Sequence, residues 1–156
     1  KFNRCRAPKR AEGNFGIFSH LESNTKILYN IEKSEQFAGF SVYTNNEAAF
    51  QAQKTKNRRL KFQLFSQASP SEAKAAGRKI DLRSDWEEVK DKVMYEIVLA
   101  KFTQNPDLKE KLLATGDEYL EEGNTWGDTI WGTVDGVGEN RLGKILMRVR
   151  DELNET

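Results

Sequence analysis

Ser84-Asp-Trp-Glu-Glu-Val-Lys-Asp-Lys-Val-Met-Tyr-Glu-Ile-Val-Leu-Ala-Lys-Phe-Thr-Gln104 is the stretch that decides the fold class. Ser84 and Glu87, three residues apart, have the form of a capping box, in which hydroxyl and carboxylate each satisfy a backbone N–H of the first turn. Trp86, Val89, Val93, Ile97 and Ala100 then recur at intervals of three and four. That period predicts a helix over about 85–104 with one apolar face, and a face of this length needs a core to lie on.

Helix signals continue on both sides. Ser69-Pro70-Ser71-Glu72 is a second capping box with proline at the first helical position, and Gly77 ends that short helix. Asn105-Pro106 starts another, closed by Gly116. Residues 139–153 carry Leu142, Ile145, Leu146, Val149 and Leu153 on one face. A helical period also runs over 46–65, with Asn45 or Asn46 as cap and Glu47 in the first turn, where the helix dipole favours a carboxylate. Ahead of it, 15–18, 26–31 and 37–43 are aromatic and β-branched segments separated by turn residues, so short strands are expected there. The expected fold is α+β and mainly helical, one compact domain over 1–156 with short N-terminal strands. A basic N-terminal arm is set at 1–12, because the first ten residues hold Lys1, Arg4, Arg6, Lys9 and Arg10 and no acid.

Composition excludes several functions. With 25 Lys plus Arg against 24 Asp plus Glu, the net charge is +1, which argues against a generically basic nucleic-acid coat. A single cysteine, Cys5, allows no intrachain disulfide and no cysteine-based zinc site. A single histidine, His20, forbids a multi-histidine metal site, and any Ser-His or Cys-His pair must pass through it. No apolar run approaches the roughly 18 residues of a membrane span. No signal-peptide h-region is seen, so a reduced, cytoplasmic setting is expected.

Three constellations can carry chemistry. In Glu47-Ala-Ala-Phe-Gln-Ala-Gln-Lys54, positions 47, 51 and 54 fall at i, i+4 and i+7, on one helix face with Phe50 beside it. That is either a solvated stripe or a carboxylate, an amide and an amine aimed into a cleft. Asn124-Thr-Trp-Gly-Asp-Thr-Ile-Trp-Gly132 sets Asp128 between two indoles, either core tryptophans pinning a loop or a surface for a flat heterocycle. Gly136-Val-Gly-Glu-Asn-Arg-Leu-Gly143 is a glycine-rich entry to the last helix, whose backbone N–H groups can hold a phosphate, but it has neither the Walker nor the dinucleotide pattern.

Taken in order, these segments resemble the NADAR family, the YbiA-like N-glycosidases linked to NAD and ADP-ribose. Arg4 and Arg6 followed by Phe15-Gly-x-Phe18-Ser19 is similar to the family's opening and its Phe-Ser-Asn turn. Glu47-x-x-Phe50-Gln51-Ala52-Gln53-Lys54 is similar to its most characteristic helix. Ser69-Pro-x-Glu-Ala73 with Gly77-Arg78, then Asp85-Trp86-Glu87-x-Val89-Lys90-x-x-Val93-Met94, follow in register. So do Lys101-Phe102-x-Gln104-Asn105, Leu112-Leu113-x-Thr115-Gly116, Trp126-Gly127-Asp128 and Gly138-x-Asn140-x-Leu142-Gly143-x-x-Leu146-Met147. Two departures stand out: His20 occupies the Asn position of the turn, and Asn46-Glu47-Ala48 replaces the usual Ser-Glu-His/Ala run.

The resemblance implies an enzyme that hydrolyses a ribosyl C1–N bond. Glu47, Lys54 and Asp128 would be catalytic, and Arg4, Arg6, Ser19, Phe50, Gln51, Arg78, Trp86, Trp126, Trp131 and Asn140 substrate-binding. The expected substrate is ADP-ribosylated guanine, as nucleoside or carried on nucleic acid. The alternatives are ribosylaminopyrimidine intermediates of riboflavin synthesis, or a non-catalytic domain that binds ADP-ribose or NAD metabolites. No cofactor, metal or membrane partner is implied.

Overall fold

The computed structural model describes residues 27–29 and 41–156. The arm over 1–12 and the expected strand at 15–18 lie outside the described residues. Two compact units emerge, one ending at Pro106 and the other covering Asp107–Thr156.

The first unit opens with a two-stranded antiparallel sheet, β1 (Ile27–Tyr29) and β2 (Ser41–Tyr43), in which Leu28 is opposite Val42. Four helices follow: α1 (Asn46–Ala52), α2 (Arg58–Phe65), α3 (Pro70–Gly77) and α4 (Trp86–Gln104). α1 is the centre, packed against α2, α3, α4 and both strands. Its sequence explains why: Ala48, Ala49 and Ala52 are fully buried, and small side chains let three helices approach one axis. Tyr43, Phe65, Ile97 and Val98 complete this core.

The expected helix over 46–65 is two helices. Asn45 caps α1 with its Oδ1 accepting from Ala48 N at 2.8 Å. Gln53 N and Lys54 N then donate to Phe50 O and Gln51 O, a tightening that ends the helix. Asn57 starts α2, its Oδ1 accepting from Leu60 N at 3.2 Å. Two asparagine caps twelve residues apart override a loose apolar period. Lys54 therefore sits in the turn after α1.

The box at Ser69 forms as expected, with hydroxyl and Glu72 carboxylate reciprocally bonded and Pro70 opening α3. The box at Ser84 does not form. Asp85 is the N-cap of α4 and makes no capping bond, because both its oxygens are bound by Arg83, to Nε at 2.6 Å and Nη2 at 2.9 Å. This bidentate grip holds the Asp85 carboxyl down at about 2. Along α4, Trp86, Val93 and Ile97 are buried as expected, Val89 and Ala100 only half-buried, and Met94, Val98, Lys101 and Phe102 join the buried face. Asn105 is extended before Pro106, as the proline ring requires of its predecessor, and α4 ends there.

The second unit holds α5 (Pro106–Leu113), a long irregular segment over 114–140 and α6 (Arg141–Asn154). Leu112, Leu120, Leu146 and Val149 are fully buried. Arg150, also buried, donates from Nη1 to Thr115 Oγ1 and to Glu118 O, both at 2.8 Å, tying α6 to the turn after α5. Among the described residues, no helix is long and apolar enough to cross a membrane.

Candidate active site

Glu47 lies in the first turn of α1 and Gln51 one turn on, so their side chains meet: Gln51 Nε2 donates to Glu47 Oε1 at 2.7 Å. Glu47 is half-buried and Gln51 buried. Behind them, Phe50 and Trp86 pack with ring centroids 5.1 Å apart and planes tilted by 57°. Such a pair is worth about 0.5–1.5 kcal/mol beyond its burial. Both rings are more than nine-tenths buried, so they form a floor between α1 and α4.

Lys54 is brought back to this cluster by the turn. Its backbone is clamped from the loop before α4: Arg83 N donates to Lys54 O at 2.8 Å, and Arg83 Nη1 reaches Gln53 O at 3.5 Å. Arg83 is itself fixed by Asp85, so a guanidinium and a carboxylate two residues apart set where the amine begins. Sequence reading passes over Arg83, since an Arg-x-Asp pair beside a helix start carries no particular signal.

The amine's acidity is shifted. Burial, the largest cause, pushes the Lys54 pKa below the usual 10.5. The negative Glu47 pulls the other way, and the positive Arg78 adds to the lowering. Both effects place Glu47 and Arg78 within electrostatic reach of one amine. Thus Glu47, Phe50, Gln51, Lys54, Arg78 and Trp86, six of the expected residues, belong to one part of one unit. Chemically, that part combines an oriented carboxylate with an amine eased toward its neutral, nucleophilic form.

The remaining expected residues of the described chain lie on the second unit's long segment, where the side chains of Asp128 and Asn140 hold the backbone. Asp128 Oδ1 accepts from Ile130 N at 3.0 Å and Trp131 N at 2.9 Å. Asn124 closes the same turn, its Oδ1 accepting from Asp128 N and its Nδ2 donating to Asp128 O. Asn140 is buried in the left-handed conformation, φ 51°, where asparagine is tolerated better than most residues. Its Oδ1 accepts from Glu122 N, and its Nδ2 donates to Leu120 O and Tyr119 Oη, each at 2.9 Å. Gly138, at φ 150°, passes so close to Gly132 O that a Cβ would stand 2.4 Å from it. Trp131 is half-buried, but Trp126 is 67% exposed, so it is not a core residue of its unit. Arg4, Arg6 and Ser19 lie outside the described residues. Among the described residues, no group of three or more His, Cys, Asp or Glu is placed to hold a metal ion.

Comparison with known proteins bears on this arrangement. The chain is 46% identical over 93 residues to an N-glycosidase of Nostoc punctiforme, covering 58% of this chain and 59% of that protein. It is 36% identical to a riboflavin biosynthesis protein of Vibrio vulnificus, over 88% of this chain and 38% of that one. The N-glycosidase YbiA of Escherichia coli is 39% identical, over 72% of this chain and 71% of its own length. The solved NMR structure of E. coli YbiA matches with a TM-score of 0.72 at 34% identity, over 89% of this chain and 78% of that chain. The chain thus spans less than two thirds of the Nostoc and Vibrio relatives. The model of the NADAR domain matches residues 8–154, across both units, and the chain belongs to the NADAR family.

Proposed function

We propose that this protein is an N-glycosidase that hydrolyses a ribosyl C1–N bond, with ADP-ribosylated guanine as its substrate. The observation that carries this reading is the grouping of Glu47 and Gln51 on α1 with Lys54 in the turn after it, the amine's pKa lowered by burial. The names of the Nostoc and Escherichia relatives, both N-glycosidases, support the reaction class.

The chemistry follows from what the bond requires. As the C1–N bond breaks, positive charge builds on C1 and the ring oxygen. A fixed carboxylate beside C1 stabilises that charge more than it stabilises the substrate, which is what lowers a barrier. Glu47, held by the Gln51 amide, supplies it. The neutral Lys54 amine offers a two-step route: it attacks C1 as the base leaves with the bonding pair and a proton. The sugar ring then opens to an imine on Nζ, and water hydrolyses the imine to free the sugar. Arg78 suits a phosphate of the substrate, through its planar fork of donors. The second expected carboxylate, Asp128, belongs to the other unit and holds its own loop, so this reading rests on Glu47 and Lys54.

A second substrate is favoured by a specific finding. The Vibrio relative and an Arabidopsis thaliana relative, 43% identical over 91 residues, are both named riboflavin biosynthesis proteins. These names agree with the alternative that the family resemblance implies, ribosylaminopyrimidine intermediates of riboflavin synthesis, which present the same C1–N bond. Incubating the purified chain with ADP-ribosylated guanosine and with phosphorylated ribosylaminopyrimidines, and following the released base by chromatography, tests both. Release of guanine supports the first substrate and release of the aminopyrimidine the second. Binding without release from either would make the chain a non-catalytic ADP-ribose module.

A further inference from the structure

Gly77, the last residue of α3, does not end its helix in the left-handed conformation that usually calls for glycine. The following residue, Arg78, stays right-handed and its N–H returns to Lys74 O and Ala76 O. What requires glycine here is space. A Cβ at position 77 would stand 1.9 Å from Gln51 Oε1 and 2.8 Å from Gln51 Cδ. The Gln51 amide therefore lies directly over the bare Cα of Gly77.

The same amide is unusual in a second way. Its Nε2 donates to Glu47, while its Oε1 is buried and accepts no hydrogen bond from the described residues. A buried carbonyl oxygen without a donor is not an arrangement that stability favours. Turning the amide over would set oxygen against the Glu47 carboxylate, so the donor end stays on Glu47 and the oxygen stays on Gly77.

We propose that Gly77 is a positioning residue: its missing side chain makes room for the Gln51 amide, which in turn fixes the Glu47 carboxylate for the reacting ribose. This rests on the N-glycosidase reading. It assigns Gln51 to Glu47 rather than to the substrate. It also gives the end of α3 two tasks on adjacent residues, since Gly77 seats the amide and Arg78 acts on Lys54. The atom a new methyl would strike is the far end of a flexible side chain, so Gly77→Ala can fold by displacing the amide, and that displacement is the predicted lesion.

The test is a double-mutant cycle with Gly77→Ala and Gln51→Ala. Each single variant should lower kcat on the order of tenfold with KM nearly unchanged, because a misplaced catalytic group costs rate more than binding. The double variant should be no slower than Gln51→Ala, since without the amide the methyl has nothing to displace. Losses that multiply, or a Gly77→Ala enzyme with wild-type kcat, would overturn the inference. So would a raised KM with unchanged kcat in Gln51→Ala, which would put the amide on the substrate. If Gly77→Ala alone does not fold, the double variant decides: folded with the kcat of Gln51→Ala supports the inference, and unfolded or slower rejects it. A ligand-free readout separates this from the function itself. The Gln51 Nε2 proton signals should shift with pH as Glu47 titrates, and should lose that dependence in Gly77→Ala. Those signals in a protein that cleaves nothing would sink the glycosidase reading alone, and an active enzyme without them would sink this inference alone.

Discussion

Around α1, the Gln51 amide binds the Glu47 carboxylate and Lys54 lies within electrostatic reach of that carboxylate; in the segment 119–140, Asn124, Asp128 and Asn140 bond to the backbone. The first region leaves an amide oxygen without a donor among the described residues and an amine with a lowered pKa. In the second, the amides of Asn124 and Asn140 are bonded at both ends, and the residue that stands out is an exposed indole, Trp126. A carboxylate bonded to an amide and within electrostatic reach of a lowered amine is an arrangement suited to chemistry, whereas side chains bonded to the backbone keep a long loop in shape. On this account bond breaking belongs to the α1 region.

Breaking the α1 side of the comparison should have the largest effect. Lys54→Arg keeps the charge but forms no imine, so turnover should fall on the order of a hundredfold or more. Borohydride added during turnover should leave a sugar mass on the Lys54 peptide of the wild type and none on the variant. Because the reactive amine is neutral, wild-type kcat should rise with pH along a limb whose midpoint lies below 10.5, the direction in which burial moves Lys54. Normal turnover by Lys54→Arg would leave direct attack by water as the better mechanism.

The same unit holds a second shifted amine, which separates burial from catalysis. Lys101 is fully buried on α4, and burial lowers its pKa to about 8. Between about 8 and the unfolded value of 10.5 the unfolded chain binds more protons, so this residue makes stability rise with pH across that window. Below it, the cost of burying the charged amine is fully present. Lys101→Met should remove that rise and stabilise the fold at neutral pH by up to about 3 kcal/mol, measured by denaturant unfolding at pH 7 and pH 10. An unchanged pH slope would show that the amine is not the group titrating.

On the loop side, Trp126→Ala should weaken substrate binding by about 1–3 kcal/mol if the indole stacks on a base. Thermal stability should hardly move, given that two thirds of the side chain is exposed. A large drop in melting temperature with normal binding would reverse this assignment. The smallest effect is expected at Asp128. Asp128→Ala removes the acceptor for two backbone N–H groups and should cost about 1–2 kcal/mol of stability, in the range of a lost cap. Asp128→Asn keeps an acceptor and should restore most of the stability, with turnover within about tenfold of wild type. A hundredfold loss in a stable Asp128→Asn would bring the loop into the chemistry and dissolve the contrast between the two regions.

How much of this was legible in the sequence varies with the kind of signal. The capping box at Ser69, the stripe through Trp86, Val93 and Ile97, and the helix over Leu146, Val149 and Leu153 rest on local rules, and they stand. The box at Ser84 does not form because the helix starts one residue later, with Asp85 as its N-cap held by Arg83 and Glu87 bonded to Lys90, choices of partner that spacing does not encode. The continuous helix over 46–65 fails because Asn57 can cap wherever the chain is allowed to stop. Helical spacing and the family pattern both grouped Glu47 with Lys54, but the helix ends at Ala52, so Lys54 is placed by a turn whose carbonyl accepts from Arg83 N rather than by a continuous helix face. Gly77 read as a helix stop, and its steric role emerges only when α1 and α3 are packed together. The resemblance implied a catalytic Asp128 and a substrate-binding Asn140, and the backbone hydrogen bonds that both side chains also make were not legible, because a loop's internal bonds leave no periodic trace.

The central claim is that an oriented carboxylate on α1 carries the charge of the breaking ribosyl bond. Glu47→Gln keeps the size of the side chain and removes its charge. The direct measurement is base release by wild type and Glu47→Gln at saturating substrate, on whichever ribosyl compound the wild type cleaves. The account predicts a fall in kcat on the order of a hundredfold or more, with a melting temperature near that of the wild type. Base release by Glu47→Gln at the wild-type rate would contradict it.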